Sequence, residues 1–123
     1  MTKAPDPPKG TAAAGRALWR SVVADYDLEE HERALLVEAV RTVDLLAELD
    51  IIIKDEGAVV ESPQGRKANP AAVEARQQRI ALARLLAALR LPAGDEGDQA
   101  AGARPQRRVG ARGVYGIRGA VSS

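Results

Sequence analysis

The side chains that could perform acid–base or metal chemistry are few in this sequence of 123 residues. It contains no Cys and only one His, His31, so cysteine nucleophiles, thiolate metal sites, disulfides and a zinc site with two His ligands are all excluded. A Ser-His-Asp triad could be built only around His31, and Leu35 stands where an HExxH motif needs its second His. We therefore expect no enzymatic activity, cofactor, metal or small-molecule substrate.

The carboxylates around His31 have a structural explanation. Asp27 is a good helix N-cap, Glu30 completes a capping-box pattern, and the positive end of the helix dipole favours acidic side chains in the first turn. Paired carboxylates can act as acid and base in hydrolysis, but we interpret these as the first turn of a helix. His31 is then expected on the surface.

Basic residues are the more informative group, because Arg and Lys are the side chains that bind phosphate most strongly. The net charge of +1 hides a segregation, since residues 28–56 have nine acidic and three basic residues, a net charge of −6. Residues 65–91 have six basic residues against Glu74, a net charge of +5, and residues 103–123 add five Arg without an acid. Segregated charge indicates binding partners or self-association rather than a particular fold.

A mainly α fold must position these charges. There is no Phe, one Trp and two Tyr, so the core consists of aliphatic residues, which is typical of packed helices. Apolar periodicity predicts helices over about 12–26, 28–56 and 70–91. We expect the second and third to form a long antiparallel helical hairpin, preceded by the first.

A β-hairpin-like connection is predicted over residues 57–69, where a strand-like AVV run precedes a SPQG turn. Residues 11–91 are expected to form the folded, helical domain. The Pro-rich residues 1–10 are predicted to be a disordered arm, and residues 92–123 a flexible basic C-terminal tail.

Particular residues indicate where the helices end and what anchors them. Asn69 is a good N-cap, Pro70 suits the first helical position, and Pro92 closes the third helix. Gly57 is predicted as a left-handed C-cap of the second helix. Trp19 could stack on a base, but we predict that it is the buried anchor of the first helix.

The second helix has apolar residues around more than a narrow stripe, so it should contact two neighbours, either both in one chain or one in another subunit. We predict that Arg side chains of the third helix pair with its acidic residues, within or between subunits, rather than bind DNA. The candidate residues of the oligomer interface are Leu36, Val40, Val43, Leu46, Ile53, Arg76, Arg79 and Arg84.

Candidate phosphate contacts lie on the first helix, at the tip of the β-hairpin and in the tail. A basic hairpin tip is equally expected if it serves only solubility. The end of the tail could bind phosphate, serve only to solubilise, or dock as a peptide through Val114, Tyr115 and Ile117. The candidate DNA-binding residues are Arg16, Arg20, Arg66, Lys67, Arg104, Arg107, Arg108 and Arg112.

No apolar run approaches the length of a membrane span, and the first nine residues are too polar for a signal peptide, so a soluble cytoplasmic protein is expected.

The order of the parts is itself informative. It contains, in succession, GRALW at 15–19, DLEEHE at 27–32, QGRKANP at 64–70, EARQQR at 74–79 and LARLLAALRLP at 82–92. This succession resembles the small subunit of tailed-phage terminases, particularly the short type carried by phages and prophages of actinobacteria. The resemblance covers residues 15–92, and it rests on the succession because no single motif is diagnostic.

The resemblance implies a non-enzymatic DNA-packaging factor that assembles into a ring. Such a factor binds viral double-stranded DNA and delivers it to the large terminase subunit, whose ATPase and nuclease it modulates. The implied partners are further copies of the chain, viral DNA and the large subunit, with no membrane, in the cytoplasm of the bacterial host cell. The absence of a GxxxxGK[ST] loop agrees with a chain that does not itself hydrolyse ATP.

One departure concerns DNA recognition, because no helix-turn-helix with a tight Gly-containing turn follows the first helix, as it does in some small terminases. Two alternative functions stay open. One is a helical adaptor that binds only protein, and the other is a small transcriptional regulator, which would need a recognition helix and a twofold-symmetric site.

Overall fold

A computed structural model describes residues 3–91 and 107–108 of the chain. Within these residues there are three helices, α1 (Ala13–Asp25), α2 (Glu30–Glu56) and α3 (Pro70–Leu89). There are four short strands, β1 (Tyr26–Asp27), β2 (Val59–Ser62), β3 (Gly65–Ala68) and β4 (Arg107–Arg108). The antiparallel pairs are β1 with β4 and β2 with β3. The prediction of a mainly α chain with a small antiparallel sheet is confirmed.

The core forms around α2, because both α1 and α3 pack against it. Its buried cluster consists of Trp19, Val22, Val23, Leu36, Val40 and Leu89, which come from all three helices. Trp19 is only 2% exposed, which confirms its prediction as a buried anchor. On α3, Ala75 is fully buried, and its small side chain allows a neighbouring helix to approach closely.

The start of α2 differs from the prediction. The capping box is formed by Glu29 and Glu32 instead of Asp27 and Glu30, and the Glu29 N–H donates to Glu32 Oε1 at 2.6 Å. Asp27 belongs to β1, where it pairs with Arg107. Tyr26 and Asp27 are extended as β1, and the helix begins after them at Glu30.

The end of α2 turns the chain directly into the β-hairpin. The Gly57 N–H donates to the Ile53 carbonyl at 2.7 Å. Gly57 has a positive φ of 93°, a conformation that favours glycine, but its ψ of 165° is extended. The predicted left-handed C-cap is therefore correct in the sign of φ and wrong in ψ.

The start of α3 agrees with the prediction. Asn69 Oδ1 accepts a hydrogen bond from the Ala71 N–H at 2.9 Å, and Pro70 occupies the first helical position. The helix ends at Leu89, and Arg90 forms the C-cap in the left-handed conformation, with φ 55°. Pro92, the predicted end signal, lies outside the described residues.

The N-terminal residues 3–10 pack on the helical body, which differs from the predicted disordered arm. Trp19 Nε1 donates to the Pro5 carbonyl at 2.9 Å, and Ala4 packs against the core cluster. The Thr11 hydroxyl donates to the Pro8 carbonyl at 2.6 Å. Composition suggested disorder because Pro is common in disordered segments, but here the Pro-rich run covers the largest core side chain.

No helix within residues 3–91 is both long enough and apolar enough to cross a membrane.

Candidate nucleic-acid interface

The β2–β3 hairpin presents the two candidate phosphate-binding residues of the connection. Its register pairs Glu61 with Arg66 and Val60 with Lys67. The turn is closed by the Ser62 hydroxyl, which donates to the Gly65 carbonyl at 2.5 Å. All four residues of β3 are exposed, so the hairpin contributes a surface rather than a core.

Arg66 already has an acidic neighbour. Its Nε lies 3.5 Å from Glu61 Oε2, and both side chains are more than two thirds exposed, at 71% and 80%. Such an exposed pair contributes little to stability and is easily exchanged for another anion. Lys67 is exposed and makes no ion pair within the described residues, which leaves its ammonium group available to a phosphate.

Charge at this end of the molecule is balanced. The basic residues in the hairpin and the last turn of α2 are Lys54, Arg66 and Lys67, and the acidic ones are Asp55, Glu56 and Glu61. Any affinity of a single hairpin for a polyanion must therefore come from two or three contacts, which is a weak site by itself.

The α1 candidates lie elsewhere. Arg16 is half-buried, and its Nη1 donates to the Thr11 carbonyl at 2.6 Å. Arg20 is exposed. The start of α1 contacts Asp44, which lies about 20 Å along α2 from Gly57 at a helical rise of 1.5 Å per residue. The structure therefore does not bring Arg16 and Arg20 together with Arg66 and Lys67.

The tail candidates are described only in part. Arg107 and Arg108 form β4, whose backbone pairs with β1. The remaining tail candidates for DNA and for the large subunit lie outside the described residues: Arg104, Arg112, Val114, Tyr115 and Ile117.

The apolar interface candidates are largely used within the chain. Leu36 and Val40 are 0% exposed and Leu46 is 8% exposed, while Val43 and Ile53 are half-buried. Their burial is achieved by the chain itself, so they leave little surface for a second subunit.

The basic interface candidates divide into two kinds. Arg79 Nη2 lies 2.8 Å from Asp50 Oδ1, an ion pair between α3 and α2 of one chain. Arg76 and Arg84 are exposed, and neither makes an ion pair with any described residue. They are the α3 cations still available to a partner.

The large apolar side chains that face solvent within the described residues were not among the candidate interface residues. They are Leu45, Ile51, Ile52, Val59, Val73 and Ile80, with exposures from 37% to 68%. Four of them form pairs seven positions apart, 45 with 52 and 73 with 80. That spacing, two helical turns on one face, was visible in the sequence but was obscured by the many other apolar residues nearby.

A small cleft of about 190 Å³ lies beside β1. Its lining residues are Lys3, Pro5, Val23, Tyr26, Asp27, Leu28 and Arg33. In the described part of the chain, no group of three or more His, Asp or Glu side chains is arranged to hold a metal ion. His31 is exposed on the first turn of α2.

Comparisons with protein-family models, with curated proteins and with solved structures found no match to this chain.

Proposed function

We propose that this protein is the small subunit of a phage terminase, a non-enzymatic, ring-forming factor. It binds viral double-stranded DNA in the cytoplasm of the bacterial host and hands it to the large subunit, the ATPase and nuclease that packages the genome. The sequence resemblance over residues 15–92 gives the proposal its direction. The structural observation that supports the proposal is the exposed β2–β3 hairpin, which holds Arg66 and Lys67 away from the core.

In this proposal α2 and α3 form an antiparallel hairpin that supports assembly. Three contacts favour this arrangement. Asn69 Nδ2 donates to the Gly57 carbonyl at 2.8 Å, Arg79 pairs with Asp50, and Leu89 shares the core cluster with Leu36. Successive positions along α3 thus meet successively earlier positions along α2.

Assembly would compensate for the weakness of one basic tip. A ring repeats Arg66 and Lys67 once per subunit, so DNA held at one hairpin encounters the next at high effective concentration. Arg20 and the basic tail segment that contains Arg107 and Arg108 would add contacts at other places on each subunit.

The DNA contact is tested by the salt dependence of binding. Replacing Arg66 and Lys67 together by Ala should weaken binding to duplex DNA, and the slope of log affinity against log salt should become shallower by about 0.9 for each phosphate that the variant no longer neutralises. The Arg33→Ala and Arg41→Ala double variant removes the same charge from exposed positions of α2 and should keep the slope. An unchanged slope in the hairpin variant would remove the hairpin from the DNA site.

Assembly is tested by the native mass of the full chain and of a chain ending at residue 92. A closed oligomer of many copies that survives the truncation supports a terminase small subunit whose helices assemble. A monomer or plain dimer at all concentrations contradicts the proposal.

A protein-only adaptor is the second candidate. The observation that favours it is the charge balance around the hairpin, including the Glu61–Arg66 pair, because a dedicated DNA surface usually has an excess of basic residues. This candidate predicts no binding to duplex DNA at moderate salt.

A further inference from the structure

An exposed apolar face lies on α2, away from the residues that build the core. Leu45 is 37% exposed and Ile52 is 40% exposed, and they are two helical turns apart. Glu48 lies between them and is exposed, and it makes no hydrogen bond or ion pair with any described residue. We call Leu45, Glu48 and Ile52 the α2 face.

A second exposed face lies on α3. Val73 is 39% exposed and Ile80 is 44% exposed, again two turns apart, with the exposed Arg76 between them. At 3.6 residues per turn, Val73 and Ile80 lie roughly 140–160° around the helix from Ala75, which is fully buried. We call Val73, Arg76 and Ile80 the α3 face, and it points away from the contact that α3 makes within its own chain.

The two faces match each other. Each has an apolar residue, a charged residue three positions later and a second apolar residue four positions after that. The apolar residues of each face are therefore about 10.5 Å apart along their helix. The central charge is negative on the α2 face and positive on the α3 face, so packing in either helix direction places opposite charges within about one turn of each other.

Within the part of the chain that the structure describes, neither central charge has an ion-pair partner, and the apolar residues of both faces remain exposed. A single exposed apolar residue on a soluble protein needs no explanation, but two faces with the same spacing, unpartnered central charges and opposite sign are complementary surfaces. Arg84, one turn beyond Ile80, is likewise exposed and adds positive charge beside the α3 face.

We propose that the α2 face of one copy packs against the α3 face of the next copy. Because the two faces lie on different helices, two copies joined by this contact still have one α2 face and one α3 face open between them, which is a head-to-tail contact rather than a twofold one. Repetition of such a contact produces a ring where the rotation closes and a filament where it does not. The inference deepens the proposed function and rests on it, since it names the surfaces that would build the ring.

The contact is tested by charge reversal and rescue in the full-length chain, with the mass in solution measured by sedimentation. Glu48→Arg places like charges opposite each other across the interface, and so does Arg76→Glu. Each single variant should have a smaller mass in solution than the unmodified chain at concentrations where the unmodified chain is assembled. The double variant should restore the original mass. Both residues are exposed, so the fold is expected to be retained, which circular dichroism verifies.

Asp25→Arg supplies the matched control, because it reverses one exposed charge at the end of α1, outside both faces. It should leave the mass unchanged. A second variant, Ile80→Asp, puts a carboxylate in the apolar part of the α3 face, and it should dissociate the oligomer even when salt screens the Glu48–Arg76 attraction.

The outcomes separate the two proposals. An oligomer of many copies whose mass none of the variants changes overturns this contact and leaves the terminase proposal standing. Single variants that dissociate without rescue in the double variant also overturn the pairing of the two faces. An unmodified chain that stays monomeric at every concentration overturns both proposals.

Discussion

Asp44, in the middle of α2, caps the N-terminus of α1 at Gly15. Its Oδ1 accepts the Gly15 N–H at 2.7 Å, and its Oδ2 accepts the Ala12 N–H at 2.7 Å. The N-cap residue Ala12 has no side-chain acceptor, so a carboxylate from another helix does the capping, where the helix dipole also favours a negative charge. One residue thus stabilises the end of α1 and fixes its position on α2.

Removal of this carboxylate should destabilise the whole domain. Asp44→Ala loses two hydrogen bonds to a charged acceptor, and we expect a loss of about 2 kcal/mol in the free energy of unfolding. Asp44→Asn keeps one acceptor oxygen, so its stability should lie between that of the unmodified chain and that of Asp44→Ala. Urea unfolding followed by circular dichroism measures the difference. Asp50→Ala is the control, because it removes only an exposed ion pair and should cost less than about 1 kcal/mol.

Gly15 should not tolerate a side chain, although Ala favours helices. A Cβ at this position would lie 2.7 Å and 2.9 Å from the two carboxylate oxygens of Asp44 and 2.8 Å from Thr11 Cγ2. Helix propensity alone would make Gly15→Ala stabilising by about 1 kcal/mol. We expect net destabilisation of about 1–2 kcal/mol, because the backbone or the Asp44 side chain must shift.

A double-mutant cycle isolates the cause at Gly15. In an Asp44→Ala background most of the crowding is gone, so Gly15→Ala should cost less there than in the unmodified chain. Equal costs in both backgrounds would show that Asp44 is not the obstacle.

Asn69 should contribute more to the stability of the domain than a helix cap alone. It is 2% exposed, and while Oδ1 caps α3, Nδ2 donates to the Gly57 carbonyl at 2.8 Å. Asn69→Asp keeps an excellent cap but loses this donor, so we expect it to destabilise the domain by about 2 kcal/mol, similar to Asn69→Ala. Thermal unfolding checks the order of the variants. An Asp variant as stable as the original would reduce Asn69 to a cap alone.

The N-terminal arm should contribute to stability. Deletion of residues 1–8 removes the Pro5 carbonyl that Trp19 Nε1 donates to and uncovers part of an indole ring that is now 2% exposed. Uncovering this area and leaving the N–H without its partner should lower the stability by about 1–3 kcal/mol. Replacement of residues 1–3 only is the control, because it retains Ala4, which packs against the core cluster, and Pro5. Full stability after the longer deletion would show that the arm is dispensable.

Local features of the fold could be predicted from the sequence. The start of α3 follows from Asn69 and Pro70, because both act within one turn of the chain. The burial of Trp19 follows from the scarcity of large apolar residues. These predictions depend only on neighbouring residues or on composition.

Contacts between distant residues could not be predicted. The pairing of β1 with β4 joins distant parts of the chain, and the cap that Asp44 provides to α1 joins positions 29 residues apart. Periodicity also showed that α2 has a broad apolar surface, but it could not show whether α1 or a second subunit covers Leu36 and Val40. The position of Arg66 and Lys67 on an exposed hairpin could be predicted because turn chemistry is local, whereas the separation of Arg16 from Arg66 is a property of the packed helices.

The exposure of β3 along its whole length has a practical consequence for tagging. Among the described residues the hairpin packs on little else, and its turn lies at Pro63 and Gln64. A short peptide inserted between them should therefore leave the helices intact. An insertion there would place a bulky group directly beside Arg66 and Lys67. The turn is therefore a position where an epitope or dye could sterically shield one surface of an otherwise native molecule.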